Sequence, residues 1–149
     1  MEVKDNNEKL IEKMYFFSFW SSAFIFISLF LVSDLLIDFF YSEDFRDVKK
    51  IFKILIIPIS IAGISATYIK RLYSIQKQKN IFIRSIFGIC INVLLNLKLI
   101  PIYGVIGVSI STVISILLME LVYDFFDPSL KNEHKFKLKS ILNFNNIMS

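Results

Sequence analysis

An all-α bundle of four membrane-spanning helices is the fold class this sequence predicts, and three observations predict it. Of the 149 residues, 55% are hydrophobic and 16 are Phe, and the mean hydropathy is positive, well beyond what a soluble domain of this length needs. Only four Gly and three Pro punctuate the chain, which leaves little room for a β-sandwich or a compact α/β domain. The apolar residues gather into four long runs separated by charged connections, the arrangement expected where the bilayer is the solvent.

The first run, Tyr15 to Ser33, is uncharged until Asp34 and Asp38 arrive, and predicts a span over about 15–37. The second, Ile54 to Ile69, is shorter, but Lys53, Lys70 and Arg71 can reach back to the headgroups, which predicts a span over about 52–70. The third, about 81–100, carries Arg84 near its start and Lys98 near its end, so only Ser85 to Leu97 is free of charge. Pro101 followed by Gly104 should separate it from the fourth, placed at about 103–123, so that the two helices meet in a tight turn. Residues 1–14 then form an N-terminal segment of mixed charge, 15–126 the transmembrane region and 127–149 a basic tail. The apolar run after residue 14 is longer than a signal-peptide core and has no small-residue cleavage site, so it is expected to stay as an anchor.

The distribution of Lys and Arg predicts orientation. Lys4, Lys9 and Lys13, then Lys70, Arg71, Lys77, Lys79 and Arg84, then Lys131, Lys135, Lys137 and Lys139 fall on one side, against Arg46, Lys49, Lys50, Lys53 and Lys98 on the other. Excess positive charge marks the cytoplasmic side, so both termini are expected in the cytoplasm of a multi-pass membrane protein. The net charge of +4 is explained by this topology rather than by nucleic acid, whose binders cluster their cations on a folded polar surface.

Reaction chemistry has little to work with. Cys90 lies in an apolar run and reads as a buried small residue, unable to form a disulfide or a cysteine metal site within one copy. His134, between Glu133 and Lys135, reads as a solvated residue of the tail. No His, Cys or acidic cluster has catalytic spacing, and no cofactor, metal or enzymatic activity is expected.

Polar positions inside the spans are the candidate functional residues. Ser85, Gly88, Asn92 and Asn96 stack along one face of the third span. Asparagine amides facing lipid would lack partners at several kcal/mol by typical transfer estimates, so this seam faces another helix or lines a substrate path. In the fourth span Gly107, Ser111 and Ser115 are spaced by four, the small-residue pattern that lets helix backbones approach closely, and Gly104 belongs to the same packing set. Ser60, Gly63 and Thr67 make a similar seam in the second, where Pro58 can introduce a kink. Arg84 and Lys98 either add positive potential to an anionic path or snorkel to the headgroups. Asp34, Asp38, Glu120 and Asp124 are either ion-coupling carboxylates or ordinary boundary residues.

Asn92 to Ser115, NVLLNLKLIPIYGVIGVSISTVIS, resembles the C-terminal signature of bacterial polysaccharide and O-antigen flippases of the multidrug/oligosaccharidyl-lipid/polysaccharide exporter superfamily. There an Asn-rich helix ends in Leu-Ile-Pro, an aromatic-Gly turn follows, and the next helix opens with Gly and small residues, matched here by Asn92, Asn96, Ile100, Pro101, Tyr103, Gly104, Gly107, Ser109 and Ser111. FYSEDFRDVKKIFKIL, Phe40 to Leu55, looks like the family's loop into the next helix, and QKQKN, Gln76 to Asn80, like its cytoplasmic connection.

The resemblance implies a transporter that moves undecaprenyl-diphosphate-linked glycan, the repeat units of lipopolysaccharide O-antigen or capsule, to the outer leaflet. It makes Arg84, Asn92, Asn96 and Lys98 candidates for the substrate path. It also implies that these helices match the last four of a larger two-bundle transporter, working with further N-terminal helices or a second copy. A truncated or accessory membrane protein without transport activity is the alternative. A small dimeric multidrug exporter has the same helix count, but the mid-helix glutamate of its first span is absent and the polar stretch Tyr41 to Lys50 is longer than it needs.

Overall fold

The structure is a computed structural model that describes residues 2–40, 46–123 and 126–142. Every regular element among the described residues is helical. Four stretches are long and apolar enough to cross a membrane: Asn7–Phe40, Asp47–Ser74, Gln78–Tyr103 and Val105–Tyr123. The chain is an all-α polytopic membrane protein.

Helix α1 spans Glu2–Phe40 without interruption, since no Gly or Pro falls in its 39 residues. At 1.5 Å per residue it is about 58 Å long, far more than the ~30 Å hydrocarbon core, so the charged residues before Tyr15 form its first turns rather than a separate segment. The second crossing is broken into α2, Arg46–Ile56, and α3, Ile59–Ser74. Pro58 is the cause: it has no N–H to donate and its ring collides with the preceding turn. Local bonds replace the helical ladder there, from Ile57 N–H to the Ile54 carbonyl and from Ser60 N–H to the Ile57 carbonyl. Tyr41 to Phe45, part of the expected loop, lie outside the described residues, whereas Arg46 to Lys50 already belong to α2.

Helix α4 spans Gln78–Tyr103 and α5 spans Val105–Leu117, continuing as a π-helical segment over Leu118–Tyr123. Pro101 does not end α4, contrary to the sequence expectation; the helix persists two residues further, to Tyr103, and turns at Gly104 alone. Gly104 has φ 58° and ψ −134°, outside the regions open to L side chains, and its N–H closes the turn on the Ile100 carbonyl at 2.8 Å. A Cβ there would meet nothing within 4 Å, so substitution acts through the backbone alone. Gly104→Ala is expected to lower stability by about 1–3 kcal/mol, read as a reduced midpoint in thermal unfolding of the detergent-solubilised protein.

Helix α6, Lys131–Leu142, occupies much of the expected basic tail. His134 is therefore a half-buried helical residue, not a solvated loop residue, with its N–H bonded to the Leu130 carbonyl at 2.8 Å. Cys90 corrects a second expectation: it is exposed on the outer face of α4, because the neighbour α5 packs on the side carrying Gly88, Asn92 and Asn96.

Helix α1 packs chiefly on α3, α4 on α5, α6 on α1, and α2 lies against both α1 and α5. The α1–α3 contact uses small polar residues: the Ser18 and Thr67 hydroxyls are 2.8 Å apart, and Gly63 N–H donates to Ser22 Oγ at 3.1 Å. At the far end of this pair Lys53 bridges Asp34 at 2.9 Å and Lys49 pairs with Asp38, so these carboxylates bind α2 to α1. The apolar core of Tyr15, Ile64, Tyr68, Leu72 and Leu130 gathers at the opposite end, where α6 covers the bundle. The long crossings otherwise present apolar side chains outward, Leu31 and Leu97 being 75% and 70% exposed, as lipid-facing helices do.

Candidate functional site

Two polar systems lie inside this apolar bundle. The first is the α4–α5 hairpin. Gly88, Asn92 and Asn96 recur every four residues on α4, and Ser111, Ser115 and Met119 do so on the returning chain, so the tight turn at Gly104 brings the two rows face to face. Asn92 donates to Ser115 Oγ at 3.2 Å, Asn96 donates to Asn92 Oδ1 at 2.9 Å, and the Ser111 hydroxyl meets Asn96 Oδ1. The helices come this close because of Gly107: a Cβ there would sit 2.4 Å from the Leu99 carbonyl oxygen. Each amide thereby finds within the hairpin the partners that lipid cannot offer.

The second system lies at the α6 end, where four elements converge on a buried ion pair. Arg84, on α4, is 2% exposed, and Glu120, in the π-helical segment, is 5% exposed. The Arg84 guanidinium pairs with the Glu120 carboxylate, which also accepts from the Ser65 hydroxyl of α3. Arg84 Nε donates to the Met119 carbonyl at 3.1 Å and its guanidinium lies 5.1 Å from the centre of the Tyr68 ring. Lys137 reaches in from α6, its ammonium 4.2 Å from the same ring and 3.3 Å from the Glu120 carbonyl. The carbonyls at a helix C-terminus are short of donors and carry partial negative charge, so both cations find compensation there besides the carboxylate.

The structure scatters the four substrate-path candidates. Arg84 sits in this ion pair at one end, Asn92 and Asn96 face α5 at mid-span, and Lys98 is exposed near the other end. The 14 residues from Arg84 to Lys98 separate them by about 21 Å along α4. Glu120, near the end of the fourth span, stands at the centre of the cluster; Asp124 lies outside the described residues. Ser65, Tyr68 and Lys137 had not been singled out by sequence reasoning. A usable signal did exist for Glu120: folding the chain back at Gly104 places the Glu120 region opposite the start of α4, where Arg84 is the charge available to meet it.

Around this cluster a polar clamp holds α6 in place. Arg71 bonds Glu133 at 2.9 Å, approaches Glu8 at 3.8 Å and lies 5.0 Å from the Phe136 ring, joining α3, α1 and α6. Asn80 donates to Asp127 at 2.9 Å, and the Ser129 N–H donates to the same carboxylate at 2.9 Å. Partial burial opposes ionisation of Asp127, but the Ser129 and Asn80 donors and nearby Lys77 prevail and hold its carboxyl below the ordinary 3.8. A depressed folded pKa contributes stability above the unfolded value, and that stability disappears as pH falls through the folded value. Asp127→Asn is therefore expected to flatten the acid limb of the stability–pH curve below about pH 4, measured by unfolding between pH 6 and pH 2.

With this geometry in hand, the comparison with protein families decides the chain's affiliation: a family model described as polysaccharide biosynthesis protein matches residues 1–147. The chain belongs to the polysaccharide biosynthesis protein family. The match covers nearly the whole chain and bears out the resemblance of Asn92 to Ser115 to the polysaccharide and O-antigen flippases. No curated protein and no solved structure matches the chain significantly. As a polysaccharide biosynthesis family protein with four candidate membrane spans, it is a membrane protein involved in the biosynthesis or export of polysaccharide.

Proposed function

We propose that this chain forms part of a transporter that flips lipid-linked oligosaccharide, the repeat units of a polysaccharide or O-antigen, across the bacterial cytoplasmic membrane. The observation that carries this reading is the family match over residues 1–147 on a chain whose four spans are built for lipid. The polar partner is an undecaprenyl-diphosphate-linked glycan, and the bias of Lys and Arg favours cytoplasmic termini. Such a step moves a headgroup and breaks no bond, so no catalytic residue or cofactor is assigned.

The hydrogen bonding bears on where a glycan would pass. The Asn92, Asn96, Ser111 and Ser115 side chains are engaged with one another, and Arg84 with Glu120. A path for the headgroup therefore belongs at a face of this bundle completed by further helices or by a second copy, with Lys98, exposed on α4, a cation available to it. Deleting the gene is expected to remove surface polymer and to accumulate the lipid-linked repeat unit in the inner leaflet, with both reversed by re-expression. Unchanged surface polymer without accumulation would reject the transport reading in favour of an accessory membrane protein.

A further inference from the structure

On the outer surface of the bundle an open groove of about 470 Å³ runs between α1 and α3, lined by Phe17, Ser18, Gly63, Ala66 and Thr67 and ending at Lys13 and Lys70. Its depth follows from the small residues on its floor. Its wall is apolar and faces outward, Phe17 being 61% exposed. A depression in a lipid-facing surface is filled by hydrocarbon, because water there would leave its own hydrogen bonds unmade.

The two lysines give the groove its polar end. The contacts of Ser18 with Thr67 and of Ser22 with Gly63 set the antiparallel register of α1 and α3, and that register places Lys13 and Lys70 within one helical turn of each other along the axis. Both also stand at a boundary in the sequence, Lys13 just before the first apolar run and Lys70 just after the second, and so at headgroup depth. Lys49, Lys50 and Lys53 are held by carboxylates and Lys77 by a carbonyl, whereas Lys13 and Lys70 have no ion-pair or hydrogen-bond partner among the described residues. Two like charges at one mouth repel each other until an anion lies between them.

We propose that this groove binds an anionic glycerophospholipid, its phosphate held by Lys13 and Lys70 and an acyl chain lying over Gly63, Ala66 and Thr67. A free phosphate would leave the apolar floor uncovered, and a zwitterionic lipid would bring its own cation toward the lysines. The site is independent of the transport reading, since it concerns a lipid of the surrounding leaflet.

Native mass spectrometry of the full chain in detergent, titrated with phosphatidylglycerol or phosphatidylcholine, tests it. The wild type is expected to retain one phosphatidylglycerol with a preference on the order of tenfold over phosphatidylcholine. The double substitution Lys13→Gln/Lys70→Gln is expected to bring that ratio near unity, and Lys13→Arg/Lys70→Arg to keep it. Ala66→Phe, which fills the floor from the exposed side, should reduce retention of both lipids. Lys139→Gln, on the exposed face of α6, should leave the ratio unchanged. Equal retention of the two lipids by the wild type would overturn the proposal. So would a loss in Lys139→Gln as large as in the double variant, which would indicate diffuse surface charge. Displacement of phosphatidylglycerol by a lower concentration of undecaprenyl phosphate would overturn the choice of a glycerophospholipid in favour of a polyprenyl lipid.

Discussion

Glu120→Gln is expected to destabilise the folded protein by about 3–5 kcal/mol, the usual consequence of leaving a buried charge without its counter-ion. Arg84 is 2% exposed and cannot turn to solvent, because its Nε is engaged by the Met119 carbonyl and the Tyr68 ring lies against its guanidinium. The amide keeps the shape of the carboxylate and can still accept from Ser65, so the loss isolates the charge. The double variant Arg84→Met/Glu120→Leu removes both charges and should be more stable than either single variant, since a matched apolar pair avoids the desolvation that a broken ion pair retains. Thermal unfolding in one detergent of Glu120→Gln, and of the wild type, Arg84→Met, Glu120→Leu and the double variant as a cycle, checks both statements. Additive losses would mean that Arg84 and Glu120 act independently.

Gly107→Val is the second large effect. Its Cβ would lie 2.4 Å from the Leu99 carbonyl oxygen and 2.7 Å from the carbonyl carbon, and these are backbone atoms that no rotamer change can move. The hairpin must open, with an overpacking cost of about 1–3 kcal/mol. Asn92 and Asn96 would then lose contact with Ser115 and Ser111, and each unmet polar group adds about 1–3 kcal/mol. Hydrogen exchange should rise through α4 and α5 while the α1–α3 pair stays protected. Gly88→Ala is the informative contrast, because the added methyl meets the Met119 side chain, which can swing aside. A Gly107→Val protein as stable as Gly88→Ala would contradict the close approach seen at Leu99.

Local chemistry accounts for much of the fold. The four apolar runs could only become spans, since each is long enough to cross a bilayer and has few charges inside it. Pro58 announced the break between α2 and α3, and Gly104 the turn between α4 and α5. Pro101 misled because a proline removes only one bond of the ladder, to the Leu97 carbonyl, and fixes a φ that is already helical, so the chain leaves the helix only where Gly104 takes a positive φ. The extent of α6 was hidden for a different reason: its residues are polar enough to read as a tail, and they become a packed helix only against α1, through Phe136, and α3, through Lys137.

The sequence alone determined that the chain is a four-span helical membrane protein and that Asn92, Asn96, Gly107, Ser111 and Ser115 form seams, because hydrophobic length and four-residue spacing are properties of a single helix. Which partner each seam takes, and whether a charge near a span end meets headgroups or a counter-ion, depends on residues distant in the chain. The tertiary structure decided those points. It paired the two seams across one hairpin and buried Arg84 against Glu120 instead of letting it snorkel, since in a medium without water a polar group settles where another helix can satisfy it.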